Sequence, residues 1–263
     1  GGPYAPGRRD LAAEELKELI AWLERKTGRM FDNDRLLEVM ALVNEQEGWY
    51  RKTRDLIAEA PKAPVTVVDT INATMQAQWQ RGTKWAAGHA RRMYEEIKAL
   101  ADAGHAAVPG EKYRLMWLGR GLWHDFAFYQ NFEEKYGAAF VWSMYLAMGA
   151  DAYIRNGFER DPLRALAARY IGMEDFLHMP PWNSGWFVHE AKRNRIDGVV
   201  YMAPANCMQA VEGSSFIVKA LEKAGIPVLL FRGDPVDDRK WNRENMTELV
   251  GSFIEERIMA IPR

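Results

Sequence analysis

The sequence has little of several things, and each shortage excludes a class of protein. It contains a single cysteine among 263 residues, which excludes an internal disulfide and is typical of a reducing cytoplasm. Its 35 Lys and Arg balance 36 Asp and Glu, so no global field favours nucleic acid or an anionic membrane. No uninterrupted apolar run approaches the roughly 18 residues of a membrane span. We therefore expect a cytoplasmic protein that has neither nucleic acid nor membrane as a partner.

Familiar catalytic motifs are also missing. No GxSxG elbow is present, so a serine hydrolase has little support. The glycines at 119 and 121 resemble a phosphate loop only weakly, because neither GxGxxG nor GxxxxGK[ST] occurs. There is no internal repeat and no low-complexity tract. Function must therefore be sought in single residues placed by the fold.

The apolar residues of the sequence follow two regular spacings, one typical of helices and one typical of short buried strands. Residues 10–110 show helical spacing, with Asp10 as the expected N-cap of the first helix. From residue 111 onward, short apolar strands alternate with helices, which predicts a parallel sheet. We predict an α/β fold: a helical region over 1–110, then a Rossmann-like α/β domain over 111–263 whose sheet of about four strands is flanked by helices. The predicted strands are 113–118, 138–142, 198–202 and 226–231.

Tryptophan is abundant, with ten residues in the chain. Core packing is the default for each of them, but several lie at predicted strand ends and loops. Ligands bind at the carboxyl ends of the strands in such sheets, so these tryptophans favour a flat apolar ligand pocket or a subunit interface. We predict Trp123, Trp142 and Trp182 as substrate-binding residues.

His124 directly follows the first predicted strand. An imidazole at that position can act as a general acid or base, or can bind an acyl or phosphate oxygen. The alternative is an ordinary residue in the first turn of a predicted helix over 124–136. We predict His124 as a catalytic residue and keep the alternative open.

Three carboxylates, Asp234, Asp237 and Asp238, follow the last predicted strand. Oxygen ligands of this kind can bind a divalent cation, but the spacing fits no EF-hand loop. Aspartates also form turns and cap helices, and this is the interpretation that we favour.

Cys207 follows the third predicted strand and precedes a predicted helix. The N-terminus of a helix lowers the pKa of a thiol and favours the thiolate, the form that binds metal or attacks an electrophile. A lone cysteine is more often a buried structural residue, and a metal cluster would need thiolates from outside this chain. From these residues alone both interpretations stay open.

The chain begins at Gly1-Gly2 rather than at methionine, and Pro3–Gly7 read as a loop. This start indicates a tag remnant, a proteolytic product or an internal boundary. We therefore expect the chain to be a fragment of a longer protein.

Four segments, taken in order, resemble the 2-hydroxyacyl-CoA dehydratase and benzoyl-CoA reductase family. The resemblance spans roughly residues 110–263, and the ordered set carries it because no single motif is diagnostic. The segments are Leu122–Asp125, the strand around Phe140–Trp142, the block from Ile196 through Cys207 to Leu229, and the tail Gly233–Asp237 with the final helix.

The resemblance implies a heterodimer of related α/β subunits, each with an iron–sulfur cluster held by three cysteines. It implies that Cys207 is one ligand of a [4Fe–4S] cluster completed by cysteines outside this chain segment, with Asn206 beside the same cofactor. It further implies that an ATP-hydrolysing activator protein supplies a strongly reducing electron, which the cluster passes to an acyl-CoA thioester. Dehydratases of the family then expel the 2-hydroxyl group, whereas the reductases reduce an aromatic ring.

Two other hypotheses accompany this one. The first is a non-catalytic partner subunit of the same family that has no cluster of its own. The second is an unrelated doubly wound binding domain. Iron content separates the enzyme subunit from both, because a cluster-bearing chain must lose iron when Cys207 is removed.

Overall fold

The structure is a computed structural model that describes residues 6–151, 161–179, 182–205 and 213–261. Helices make up most of these residues, and four of them precede the first strand, as the helical spacing predicted. Phe126–Gln130 and Asp238–Lys240 are short 3-10 helices, and Ile254–Ile258 forms a π-helical turn. The helices are α1 (Pro6–Thr27), α2 (Asn33–Glu59), α3 (Val67–Trp79), α4 (Lys84–Asp102), α5 (Glu133–Tyr136), α6 (Met144–Asp151), α7 (Pro162–His178), α8 (Trp182–Arg193), α9 (Ser214–Lys223) and α10 (Arg243–Phe253).

The sheet confirms the predicted α/β class. Its four strands are β1 (Tyr113–Gly119), β2 (Ala138–Ser143), β3 (Gly198–Pro204) and β4 (Val228–Gly233). They are all parallel, in the order β2-β1-β3-β4. The strand order reverses between β1 and β3, because the chain runs outward to β2 and then crosses back. In a doubly wound sheet, the crevice at such a reversal is the usual ligand site.

Each face of the sheet has its own core, and the strands alternate between them. Met116 and Leu118 of β1 face the layer that contains α2, α4, α8 and α9. Leu115 and Trp117 face the opposite layer, where Trp117 is fully buried against the rings of Phe128, Tyr129 and Phe140. Both faces of β1, β2 and β3 are covered, which explains why these strands read as continuous apolar runs, whereas the edge strand β4 alternates between half-buried and exposed positions after Val228.

A bulge interrupts this alternation in β2. Leu115 pairs with Phe140, but the next residue, Met116, pairs with Trp142, so Val141 is the extra residue. As a result, Val141 and Trp142 both belong to the core on the α2 side, whereas Phe140 belongs to the other face. A bulge shifts the alternation of side chains between the two faces by one residue. The Trp142 side chain therefore lies on the α2 side instead of on the face that contains Phe140.

Two arginines join the helical region to the sheet. Arg114 of β1 donates to the carbonyl of Ala60 at 2.9 Å, and Arg195 donates to the carbonyl of Ala58 at 3.0 Å. These carbonyls lie at the C-terminus of α2, where cations offset the partial negative charge of the helix dipole. Residues from both 1–110 and 111–263 share the core on this face. The domain boundary at 110 stays a prediction.

Two local predictions were wrong. Asp10 is not an N-cap, since α1 already begins at Pro6, and its carboxylate instead pairs with Arg164 of α7. The predicted helix over 124–136 is a 3-10 helix over 126–130 followed by the single turn of α5. Residues 122–125 instead form a turn, in which the N–H of Asp125 donates to the carbonyl of Leu122 at 3.2 Å.

Gly119 shows why β1 ends where it does. Its φ is +105°, and a Cβ atom there would lie 2.2 Å from the carbonyl oxygen of Met202 in β3. Only glycine tolerates both this backbone conformation and this close approach. The chain can therefore turn sharply into the loop that carries His124. Within the described ranges, no helix is both long and apolar enough to cross a membrane.

Candidate ligand site at the carboxyl ends of the strands

A cleft of about 660 Å³ lies beyond the carboxyl ends of β3 and β4. Its size is that of a ligand pocket, and it lies at the carboxyl edge, where parallel sheets bind ligands, beside the reversal between β1 and β3. A second cleft, of about 800 Å³, runs along α5 and α10 and does not lie at the strand ends. We therefore take the first cleft as the candidate site. It is lined by Ala205, Arg232–Asp234, Asp237, Arg239–Trp241 and Met246.

The loop after β4 forms one wall of the cleft, and its aspartates build the turn. The Asp234 carboxylate accepts the N–H groups of Val236 and Asp237, both at 2.9 Å. Asp237 accepts the N–H of Arg239 at 3.0 Å and so caps the 3-10 helix over 238–240. These bonds confirm the favoured interpretation for Asp234 and Asp237 as turn and cap residues. In the described part of the chain, no three His, Cys, Asp or Glu side chains come together as metal ligands.

The charges in the cleft differ in how they are paired. Hydrogen bonds from the Arg239 side chain lower the pKa of Asp237 to about 2. Arg232 and Lys240 are exposed, and within the described ranges neither has a carboxylate within ion-pair distance. Three cations and two carboxylates line the cleft, so it carries a net positive charge.

The loop after β1 is bound to the loop after β4. The N–H of Trp123 donates to the carbonyl of Pro235 at 2.9 Å. His124 Nε2 lies 3.2 Å from the carbonyl oxygen of Asp234. A carbonyl only accepts, so this bond requires the proton on Nε2 and leaves Nδ1 as the basic nitrogen. The imidazole also packs edge-on against Trp241 at 5.5 Å.

Asp125 completes this attachment. Its carboxylate accepts the indole N–H of Trp241 at 3.0 Å and the Arg243 Nε–H at 2.8 Å. The side chain is 7% exposed, whereas that of Arg243 is 47% exposed. Asp125 was not predicted as a site residue. The only signal in the sequence was its position next to His124 at a strand end.

Two tyrosines support the same loop from below. Tyr145 accepts the N–H of Gly121 at 2.8 Å, and Tyr129 accepts the N–H of Leu122 at 2.9 Å. Burial raises the pKa of both phenols, so they stay neutral and serve as fixed polar contacts. No pattern in the sequence indicates this role, because the two tyrosines come from different elements.

The predicted site residues are only partly brought together. Among the described residues His124 does not line the cleft itself, but it contacts Trp241, which does. Trp123 is half-buried behind the same loop and packs against Phe126 and Tyr145. The loop after β1 therefore brings these two predicted residues to the edge of the cleft.

The other two predicted tryptophans lie elsewhere. Trp142 is 3% exposed in the core on the α2 side, and its indole N–H donates to buried Glu190 at 2.8 Å. The bulge in β2 directs it there. Trp182 is half-buried at the first position of α8. The substrate-binding role of Trp123, Trp142 and Trp182 stays a prediction.

Cys207 and Asn206 lie outside the described residues. The chain reaches them from Ala205, which lines the cleft and donates its N–H to the carbonyl of Gly233 at 2.9 Å. The residues of this chain cannot by themselves hold a four-iron cluster, because the sequence contains one cysteine and a cluster requires three or four thiolates. The cluster-ligand assignment stays a prediction.

A parallel sheet with a cationic cleft at its carboxyl edge defines a doubly wound α/β protein. Comparison with known proteins makes this class more specific. Residues 3–256 match the family model of the 2-hydroxyglutaryl-CoA dehydratase D-component, so the chain belongs to this family. The resemblance noted from the sequence is confirmed, and it extends over the helical region as well. Family membership excludes an unrelated doubly wound domain.

Three relatives are subunits of enzymes. The chain is 23% identical to the (R)-2-hydroxyisocaproyl-CoA dehydratase alpha subunit of Clostridioides difficile, over 94% of this chain and 60% of that protein. It is 24% identical to the (R)-phenyllactyl-CoA dehydratase alpha subunit of Clostridium sporogenes, over 87% and 54% of the two chains. It is 25% identical to a benzoyl-CoA reductase subunit of Thauera aromatica, over 97% and 61%. The alignments thus span somewhat more than half of each relative.

Proposed function

We propose that this chain is part of a subunit of a 2-hydroxyacyl-CoA dehydratase or benzoyl-CoA reductase complex and that its strand-end cleft holds the acyl-CoA. The observation that carries the proposal is the position of the cleft. It lies at the carboxyl edge of the sheet, and Ala205, one of its lining residues, leads directly into the segment with Cys207. The three relatives are named for reactions of CoA thioesters, which supports an acyl-CoA as the ligand.

The cofactor in this proposal is a [4Fe–4S] cluster to which Cys207 contributes one thiolate, with Asn206 nearby. Because the chain contains no other cysteine, the remaining ligands come from outside this segment. When bound, such a cluster supplies single electrons to the thioester. The contribution of the described residues is to bind the substrate and to exclude water from the region around it.

His124 is the proposed proton-handling residue. The hydrogen bond from Nε2 to the Asp234 carbonyl fixes the ring and leaves Nδ1 able to take up a proton or to hold one toward a substrate oxygen. Trp123 lies behind the same loop. In this proposal Trp123, Trp142 and Trp182 provide apolar surface around the acyl group, either directly or by supporting the residues that touch it.

The proposal includes two protein partners. One is a homologous second subunit, since two of the relatives are designated alpha subunits. The other is an ATP-hydrolysing activator that supplies the electron. A cytoplasmic location belongs to the same proposal, because a reducing compartment preserves a single free thiol.

A second candidate function is that of a non-catalytic partner subunit. The lone cysteine favours it, together with the absence of a three-ligand group within the described residues. In that case the cleft would lie in a subunit that docks a cluster-bearing homologue and holds no iron of its own.

Iron analysis of the complete protein, purified anaerobically with its partner, tests the proposal. The wild-type complex should contain iron and sulfide, and Cys207→Ala should lose iron from this subunit along with acyl-CoA turnover. The matched control is Ser215→Ala, an exposed position on α9. Unchanged iron in the Cys207 variant would contradict the ligand assignment. An active complex whose iron resides wholly in the other subunit would establish the second candidate instead.

A further inference from the structure

We propose that Arg232 and Lys240 form a phosphate site on the rim of the strand-end cleft and that it binds the phosphate groups of coenzyme A. This inference rests on the proposed function and makes it more specific. It places the nucleotide end of the ligand at the end of β4 and the loop that follows this strand. The acyl end of the ligand would then extend toward the segment after Ala205.

The first support is the position of the two cations. Arg232 is the next-to-last residue of β4, and Lys240 ends the 3-10 helix over 238–240, so a strand and a turn hold the two side chains on one cleft. Arginine presents a planar set of donors that matches two phosphate oxygens, and lysine adds a point charge. Such a pair suits a ligand with more than one phosphate group.

The second support is the contrast between these cations and their neighbour Arg239. The Asp237 carboxylate accepts two hydrogen bonds from Arg239 Nε, at 2.8 and 3.0 Å, so this charge is already neutralised. In the described part of the chain Arg232 and Lys240 have no such partner. Both can therefore turn toward a ligand without breaking an existing ion pair.

The two carboxylates that line the cleft offset only part of the charge of its three cations. Asp237 is paired, and the Asp234 carboxylate accepts two backbone N–H groups of its own turn. Asp238 lies next to them in sequence but is exposed and is not part of the lining. A divalent cation would have to compete with those hydrogen bonds, whereas an anion would meet cations that lack carboxylate partners. The charge pattern thus favours an anion.

The cleft volume of about 660 Å³ exceeds what a single inorganic phosphate requires. It falls within the range of pockets that hold drug-sized or cofactor-sized ligands. Coenzyme A joins a diphosphate and a 3′-phosphate on one nucleotide, so it can contact both cations and fill the remaining space. Free diphosphate is also a polyanion, but it offers less contact area.

Equilibrium binding to the complete protein tests the proposal. Coenzyme A, 3′-dephospho-coenzyme A and inorganic diphosphate are titrated calorimetrically into wild-type protein, Arg232→Gln, Lys240→Gln and the double variant. Each single variant should weaken coenzyme A binding by about tenfold, as expected for loss of one charge-assisted contact, and added salt should weaken the wild-type interaction. The matched controls, Lys219→Gln and Arg257→Gln, remove exposed cations that do not line the cleft and should bind normally.

Several results would overturn the proposal. They are coenzyme A binding of equal strength in wild type and double variant, absence of coenzyme A binding to the wild type, and binding of diphosphate as tight as that of coenzyme A. Circular dichroism verifies that the variants fold. Failure of the proposed function is a separate outcome. A complex without turnover whose coenzyme A binding still depends on Arg232 and Lys240 keeps the phosphate site and rejects the enzymatic role.

Discussion

The helical layer and the carboxyl edge of the sheet both set a carboxylate against arginine, but at different depths. In the helical layer, Glu47 of α2 is fully buried and contacts both Arg81 and Arg169, the latter at 2.7 Å. At the sheet edge, Asp125 pairs with Arg243, whose side chain is about half exposed. The difference indicates a structural pair in the interior and a loop attachment at the edge.

Both pairs join an arginine to a carboxylate, but burial raises the free-energy cost of leaving one partner unpaired. Burial lowers the pKa of Arg169 to about 10, which reflects the cost of removing its charge from water. Removing the carboxylate from such a site strands a buried cation, whereas a half-exposed arginine recovers its hydration. Three substitutions test this comparison, from the largest expected effect to the smallest.

Glu47→Gln should have the largest effect. It leaves two arginines without their shared carboxylate, so we expect the free energy of unfolding to fall by about 3 kcal/mol, the lower end for a broken buried pair. Urea denaturation measures the change. The control is Glu45→Gln, an exposed position on the same helix, which should leave stability almost unaltered. A loss below about 1 kcal/mol in the Glu47 variant would place it with surface pairs and refute the comparison.

Asp125→Asn should have an intermediate effect. The amide oxygen can still accept the indole N–H of Trp241, but the ion pair with Arg243 is lost. We expect about 1 kcal/mol of destabilisation, between the values for charged hydrogen bonds and for exposed pairs. Faster hydrogen exchange at the amides of residues 121–125 would show that the loop has loosened. Asp238→Asn, exposed in the neighbouring loop, serves as the control. A loss equal to that of Glu47→Gln would remove the distinction between the two regions.

The exposed pair of Asp237 and Arg239 should have the smallest effect, and it is seen best through pH. The folded-state pKa of Asp237 is lowered to about 2, below the ordinary value, chiefly by hydrogen bonds from Arg239. The carboxylate therefore favours the folded state above about pH 4, and this contribution disappears as pH falls through about 2. In Arg239→Gln, carbon-detected NMR should show the pKa of Asp237 returning toward its ordinary value. An unchanged pKa would mean that the backbone bond alone sets it. Arg257→Gln should leave it unaltered.

The strands and the fold class could be predicted because they depend on local apolar runs. The runs at 113–118 and 198–202 lie within β1 and β3, and parallel pairing follows from the intervening helices. Helix ends were harder to predict. Aspartate is a favoured N-cap residue, which is why Asp10 was predicted to begin the first helix. However, α1 begins at Pro6, and the Asp10 carboxylate pairs with Arg164. The local preference of aspartate for an N-cap thus did not determine the role of Asp10, which pairs with a residue of α7.

The candidate site was predictable only in part. Strand-end positions directed attention to His124 and to the aspartates after β4, whose loops are joined in the structure. They could not identify Asp125 or Arg243, because those residues are 118 positions apart and meet only when the two loops are docked. Trp142 was predicted as a substrate-binding residue because it ends a predicted strand, but the bulge at Val141 directs it into the core on the α2 side.

By itself, the sequence determined the class of this protein: a parallel α/β sheet behind a helical region, with one thiol and a balanced charge. These features follow from composition and from apolar spacing over a few residues. The tertiary structure decided which cations of the strand-end cleft lack carboxylate partners within the described ranges, which tryptophan is buried and which loops are joined. The physical reason is that burial, ion pairing and bulge register depend on residues far apart in the chain, whose contacts exist only once the strands have packed.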